Sequence, residues 1–152
     1  MLEAGKNAIL PLVVVEEVDP ARREELARAY RATTYAAAIP LRLRLGEPNP
    51  LVDALLDDLG ASRYAFLTAW NPGAKPRSEA ENREAQQRLM DALEGRPVFV
   101  GAGEADDGSW PPEPSLLVVG LACDEAVELG RRFGQVAIVV GEKGGAPQLV
   151  WL

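Results

Sequence analysis

The sequence predicts one α/β or α+β domain: a mixed β-sheet with helices packed on its faces and a C-terminal antiparallel hairpin. Three observations carry this expectation. The chain has 152 residues, 47% of them apolar, enough for one domain with a sizeable core. Apolar residues recur with a period of two in some segments and near 3.6 in others, and the two kinds of segment alternate along the chain. Helix-opening and helix-closing residues stand where the longer period begins and ends.

Taken in order, Ile9–Val15 is an apolar run read as a first strand. Asp19-Pro20 combines an N-cap with proline at the first helical position and opens a helix to about Arg31, with Leu26 and Tyr30 on one face. Tyr35–Ile39 and Leu41–Leu45 are extended pieces broken at Pro40; the second alternates Leu-Arg-Leu-Arg-Leu, a half-buried strand with its arginines outward. Asn49-Pro50 opens the next helix, where Val52, Leu55, Leu56 and Leu59 fall at i, i+3, i+4 and i+7 before Gly60. Arg63–Ala69 is a buried strand, and Ser78 caps a helix from about Glu79 to Leu93. Pro97–Gly101 is a short strand, and Ala102–Pro114 reads as a Gly-, acid- and Pro-rich loop containing Trp110. Ser115–Leu121 is a nearly continuous apolar run, as in a central strand. Asp124–Phe133 is a helix with Arg131 and Arg132 in its last turn and Gly134 after it. Val136–Val140 and Gln148–Leu152 flank the hairpin turn at Glu142–Gly145. The strand–helix–strand spacing in the middle predicts parallel pairing there. Residues 1–28 are read as an N-terminal extension and 29–152 as the globular domain.

Composition excludes several chemistries. With no histidine, Ser-His and Cys-His nucleophile systems, His-metal sites and the usual general base near neutral pH are absent. Cys123 is the sole cysteine, so no internal disulfide forms and no cysteine zinc site is expected; a reactive role for it is weaker than that of a small apolar filler. No cofactor is implied. The net charge of −7 and the dispersed arginines and lysines argue against nucleic-acid binding. No apolar run reaches the roughly 20 residues of a membrane span, and Ile9–Val15 is too short for a signal peptide, so a cytoplasmic protein is expected. Frequent arginine with scarce cysteine and methionine fits a thermophile or a GC-rich genome.

Trp70-Asn71-Pro72-Gly73 lies between a strand and a Ser-capped helix, where α/β proteins place their sites. Trp70 is suited to stack on a planar ligand and Asn71 to hydrogen-bond its edge; alternatively Trp70 plugs the core and Asn71 caps the loop. No Gly-x-Gly-x-x-Gly or P-loop pattern occurs. Ser78 and Glu81 form a capping-box pattern, whose helix end also suits an anion. Asn82 falls on the apolar stripe of its helix with Leu89 and Leu93, so its buried amide either ties down the loop or meets a ligand. Glu104, Asp106, Asp107 and Glu113 read as a solvated acidic loop, with divalent-metal binding as the minority reading. Trp110 among them is a candidate lid beside Trp70. Gln135, at a strand entry, and Tyr35 are further polar candidates.

Phe66–Pro72, then Ser78 with Glu81-Asn82, then Trp110 with Glu113 and Ser115-Leu-Leu117, then Phe133-Gly-Gln135, resemble in this order the bacterial family known as domain of unknown function 3293. Ala29–Tyr35 resembles that family's opening segment, so the likeness spans roughly Ala29 to Leu152. Pro114 departs from the pattern, where an acidic or small residue is expected. The resemblance implies no activity.

The functional expectation is a small-molecule-binding protein or enzyme. Its ligand is planar and anionic, nucleotide-like or a carboxylate, and meets Trp70, Asn71, Ser78, Asn82, Trp110, Ser115 and Gln135. Glu113 or Glu81 serves as the base if there is a reaction. The alternative is a non-enzymatic homodimer paired through Ile9–Val15 or the Gln148–Leu152 edge.

Overall fold

The computed structural model describes residues 18–38 and 41–152; the strand expected at Ile9–Val15 lies outside them. Three helix starts are those the caps predict. α1 (Pro20–Arg31) opens with the Asp19 carboxylate accepting from the Arg22 N–H at 2.8 Å. α2 (Pro50–Asp58) opens with Asn49 Oδ1 accepting from the Leu51 and Val52 N–H groups. α3 (Glu79–Ala92) carries the complete capping box of Ser78 and Glu81, and α4 (Cys123–Arg132) ends with Arg131 and Arg132.

The strands are β1 (Thr33–Ala37), β2 (Leu41–Leu43), β3 (Arg63–Leu67), β4 (Val98–Ala105), β5 (Glu113–Val119), β6 (Ala137–Glu142) and β7 (Gln148–Trp151). They form one sheet in the order β2-β1-β4-β5-β3-β6-β7. The predicted class holds, with helices on a sheet and a C-terminal hairpin, but the expected parallel pairing does not: every pair is antiparallel. The reason lies in strand insertion. β3 and β4 are both antiparallel to β5, so they run in the same direction with β5 between them. β5 and β6 likewise run in the same direction with β3 between them. The β-α-β spacing in the sequence is real, but each unit is split by a strand of the other. Residues from β3 to β6 thus have the ferredoxin-like β-α-β-β-α-β arrangement.

A second correction concerns the loop expected over Ala102–Pro114. Residues up to Ala105 continue β4, and Glu113 and Pro114 begin β5, which leaves 106–112 as a hairpin connection. β1 supplies the missing partner: Thr33 to Ala37 pair with Ala105 to Gly101. Glycines and acids on a central strand carry no strand signal of their own; the neighbouring strand holds them extended. Gly101 is required there, because a Cβ would stand 2.1 Å from the Ala36 carbonyl oxygen.

The sheet buries apolar residues on both faces. One face packs Ala65, Leu67, Leu116 and Val118 against Leu89 and Leu93 of α3 and Ala126 of α4. The other packs Tyr64, Phe66, Leu117 and Val119 against Val52 and Leu56 of α2. α1 is different. None of its residues is fully buried, and its ring contacts are made by Tyr30 and Arg23 on Trp151 of β7, at 5.9 Å and 4.4 Å. α1 therefore roofs part of the sheet without filling it.

Candidate functional site

Register explains the space under α1. On the α1–α2 face, Tyr35, Gly103 and Glu113 stand in one cross-strand row, and Ala37, Gly101 and Ser115 in the next. Phe99, Leu117, Phe66, Val139 and Leu149 form a third row of large side chains. Side chains in a row project from the same face. The large row packs with Val52 and Leu56 of α2, and its Phe66, Val139 and Leu149 also border a cavity of about 300 Å³ that Gly103, Ser115 and Ala137 leave open under α1. Leu26, Ala29 and Tyr30 of α1 form its roof. Gly103, Ser115 and Ala137 lie on its floor, and Trp70, Asn71, Ala74 and Pro76 form one wall. Trp110 and Gln135 complete it. That volume lies at the lower end of small-molecule sites. A Cβ on Gly103 would meet only ordinary contacts, 3.7 Å from Thr33 Cγ2, so this glycine leaves room without being forced by its backbone.

The wall loop is held tightly. Asn71 and Ala74 have positive φ, 47° and 58°, as does Gly73, and for alanine the left-handed region costs about 1 kcal/mol. The Gly73 N–H donates to the Gly134 carbonyl at 2.8 Å, and Arg22 of α1 reaches the Ala74 carbonyl at 3.3 Å. Asn82, 2% exposed, accepts from the Asn71 N–H through Oδ1 and donates through Nδ2 to Asn71 Oδ1, both at 2.8 Å. The Arg77 N–H also donates to Asn71 Oδ1 at 3.0 Å. Backbone N–H groups only donate, so these bonds fix both amide orientations and turn the Asn71 Nδ2 donors away from the pair. Thr68 ties the loop entry to β5, donating to the Pro114 carbonyl at 2.7 Å and accepting from the Trp70 N–H at 3.0 Å. Gln135 donates through Nε2 to the Trp70 and Phe133 carbonyls, which leaves its Oε1 as an acceptor.

Among the described residues, Glu113 is the carboxylic acid of the cavity wall. Among the described residues its carboxyl has no hydrogen bond or ion pair, and burial pushes its pKa up to about 7. Tyr30 is pushed up to about 12, by burial first and by the Glu113 charge second. Tyr35 is raised by burial as well, and its hydroxyl donates to the Tyr30 carbonyl at 3.4 Å. Both phenols stay protonated near neutral pH. Among the described residues, no lysine or arginine side chain lines the cavity.

Of the residues singled out from the sequence, Trp70, Asn71, Trp110, Glu113, Ser115, Gln135 and Tyr35 all meet at this cavity. Ser78, Glu81 and Asn82 do not line it. Glu81 is exposed and accepts from the Ser78 hydroxyl at 2.9 Å and N–H at 3.3 Å, which hold its carboxyl below the usual carboxylate range. Asn82 serves the loop by the route described above. The four carboxylates of 104–113 go separate ways: Glu104 pairs with Arg42, Asp106 with Arg44 and Thr34, Asp107 with the Ser109 N–H, and Glu113 with the cavity. No group of three or more acids, histidines or cysteines fit to hold a metal occurs among the described residues. No helix of the described residues is long and apolar enough to cross a membrane. Tyr30, Thr33, Thr68 and Gly103 were not legible as site residues; the only signal was that Leu26 and Tyr30 share one face of α1.

No curated protein and no solved structure matches the chain. Residues 67–138 run from the last residue of β3 through α3, β4, β5 and α4 into β6, and they match the family described as Protein of unknown function (DUF3293); the ferredoxin-like core is thus the part of this chain that carries the family likeness.

Proposed function

We propose that the protein binds a small molecule in the cavity between α1 and the sheet, and that Glu113 is the polar group around which binding or reaction is organised. The observation that carries this reading is an acid without a partner among the described residues, on the wall of an aromatic-lined cavity. A half-buried carboxyl without a partner costs stability, and such groups concentrate at functional sites. The rings of Tyr30, Trp70 and Trp110 offer flat apolar surface to a planar ligand. Asn71 Nδ2 adds donors and Gln135 Oε1 an acceptor. Should the bound molecule be transformed, Glu113 is the group suited to take or give a proton near neutral pH, in a chain that has no histidine.

The test is a ligand screen by thermal shift and tryptophan fluorescence, with Gly103→Leu as a blocked-cavity control. The register gives the new side chain room at its Cβ and directs its end into the space under α1. Ligands of this site stabilise the wild type by mass action and leave the blocked protein unchanged. Hits that shift both proteins equally, or a screen of planar metabolites without a hit, would refute the reading.

A further inference from the structure

We infer that the cavity selects a cation: a small quaternary or protonated amine, held against Glu113 and the faces of the surrounding rings. This rests on reading the cavity as a ligand site, and it replaces the anionic ligand class expected from the sequence.

Among the described residues, the ionisable groups on the wall are Glu113 and the phenols Tyr30 and Tyr35, with no arginine or lysine. Arg22, whose charge is felt at Tyr30, reaches across the roof to the Ala74 carbonyl and does not line the cavity. An anion entering here would lose its hydration and find an acid instead of a counter-ion. A cation would find the missing partner of Glu113. The rings strengthen the case, because aromatic faces attract cations and do so most when water is excluded. Tyr30, Trp70 and Trp110 lie on the wall with Glu113, and Tyr35 and Phe66 lie deeper, 5.3 Å apart in an edge-to-face pair. A neutral polar ligand could hydrogen-bond Asn71, Gln135 and the carboxyl but would leave the charge of Glu113 uncompensated.

The test uses isosteric probes that differ in one charge: phenyltrimethylammonium against tert-butylbenzene, and choline against 3,3-dimethylbutan-1-ol, with benzoate as the anion. Binding to the intact chain is measured by calorimetry and tryptophan fluorescence. The cations are expected to bind at least about tenfold more tightly than their neutral isosteres. Glu113→Gln should cut that preference sharply, to what the rings alone supply, while neutral binding persists, which also shows that the variant is folded. Gly103→Leu should abolish binding of every probe. Equal binding of cation and neutral isostere, tighter binding of benzoate, or an unchanged preference in Glu113→Gln would overturn the inference and leave the cavity reading standing. Failure of every probe at millimolar concentration would overturn both.

Discussion

Replacing Glu113 by Gln should make the protein more stable, and only above acidic pH. The carboxyl goes from an ordinary 4.5 to about 7 on folding because burial disfavours its charged form. Between these values the folded chain holds a proton that the unfolded chain has lost. Stability contributed by this group is therefore fully present below about pH 4.5, falls as pH rises toward 7, and stays low above it. A tenfold change in proton affinity is worth 1.36 kcal/mol, so the penalty at about pH 8 amounts to at most about 3 kcal/mol, and less to the extent that water screens the half-buried carboxyl. Glutamine has nearly the same shape and does not ionise. In a chain of this length the gain corresponds to a rise in melting temperature of up to roughly 10 °C. Urea unfolding followed by tryptophan fluorescence, on both proteins from about pH 4 to about pH 8, isolates the effect, because every other group titrates in both and cancels in the difference. A difference that does not grow with pH, or a variant less stable than wild type at about pH 8, would refute the assignment of Glu113 to an unpaired, water-poor position.

Two further perturbations probe the frame of the site. Asn82→Ala removes the partner of the Asn71 N–H and one of the two partners of Asn71 Oδ1, and should cost about 2 kcal/mol in urea unfolding, because it leaves a part-buried N–H unmade; a loss below about 0.5 kcal/mol would mean the loop is held by its other anchors alone. Gly101→Ala and Gly103→Ala should separate sharply, although they sit two residues apart on one strand. The first places a methyl 2.1 Å from a backbone oxygen of β1 and should cost more than about 2 kcal/mol; the second meets ordinary contacts and should stay within about 0.5 kcal/mol of wild type. Equal melting temperatures for the two would count against the register between β1 and β4.

Site residues were legible where their chemistry is unusual for their setting. A tryptophan, an asparagine and prolines between a buried strand and a capped helix drew attention to the 70–76 loop, and the structure puts Trp70, Asn71, Ala74 and Pro76 on the cavity wall. Asn82 was readable as a buried amide from helical period alone, because its angular position on α3 is shared by Leu89 and Leu93. Glu113 could be listed but not distinguished from Glu104, Asp106 and Asp107. Its isolation depends on which carboxylates find arginines, and Arg42 and Arg44 come from β2 and its C-terminal edge, some 60 residues away in sequence. Tyr30 and Gly103 became site residues only through the register of β1, β4 and β5.

Sequence by itself determined the local elements: capping side chains, proline positions and apolar periods act over a few residues, and they place α1 to α4 and most strands within a few positions. Tertiary structure alone decided strand order. It inserted β5 between β3 and β4 and β3 between β5 and β6, turning expected parallel neighbours into antiparallel ones. It also decided the cavity, since both core helices cover one face of the sheet and leave the other to α1 and α2. Pairing between distant strands is a choice among arrangements of similar local energy, settled by how well whole faces bury together, and no single segment carries that information.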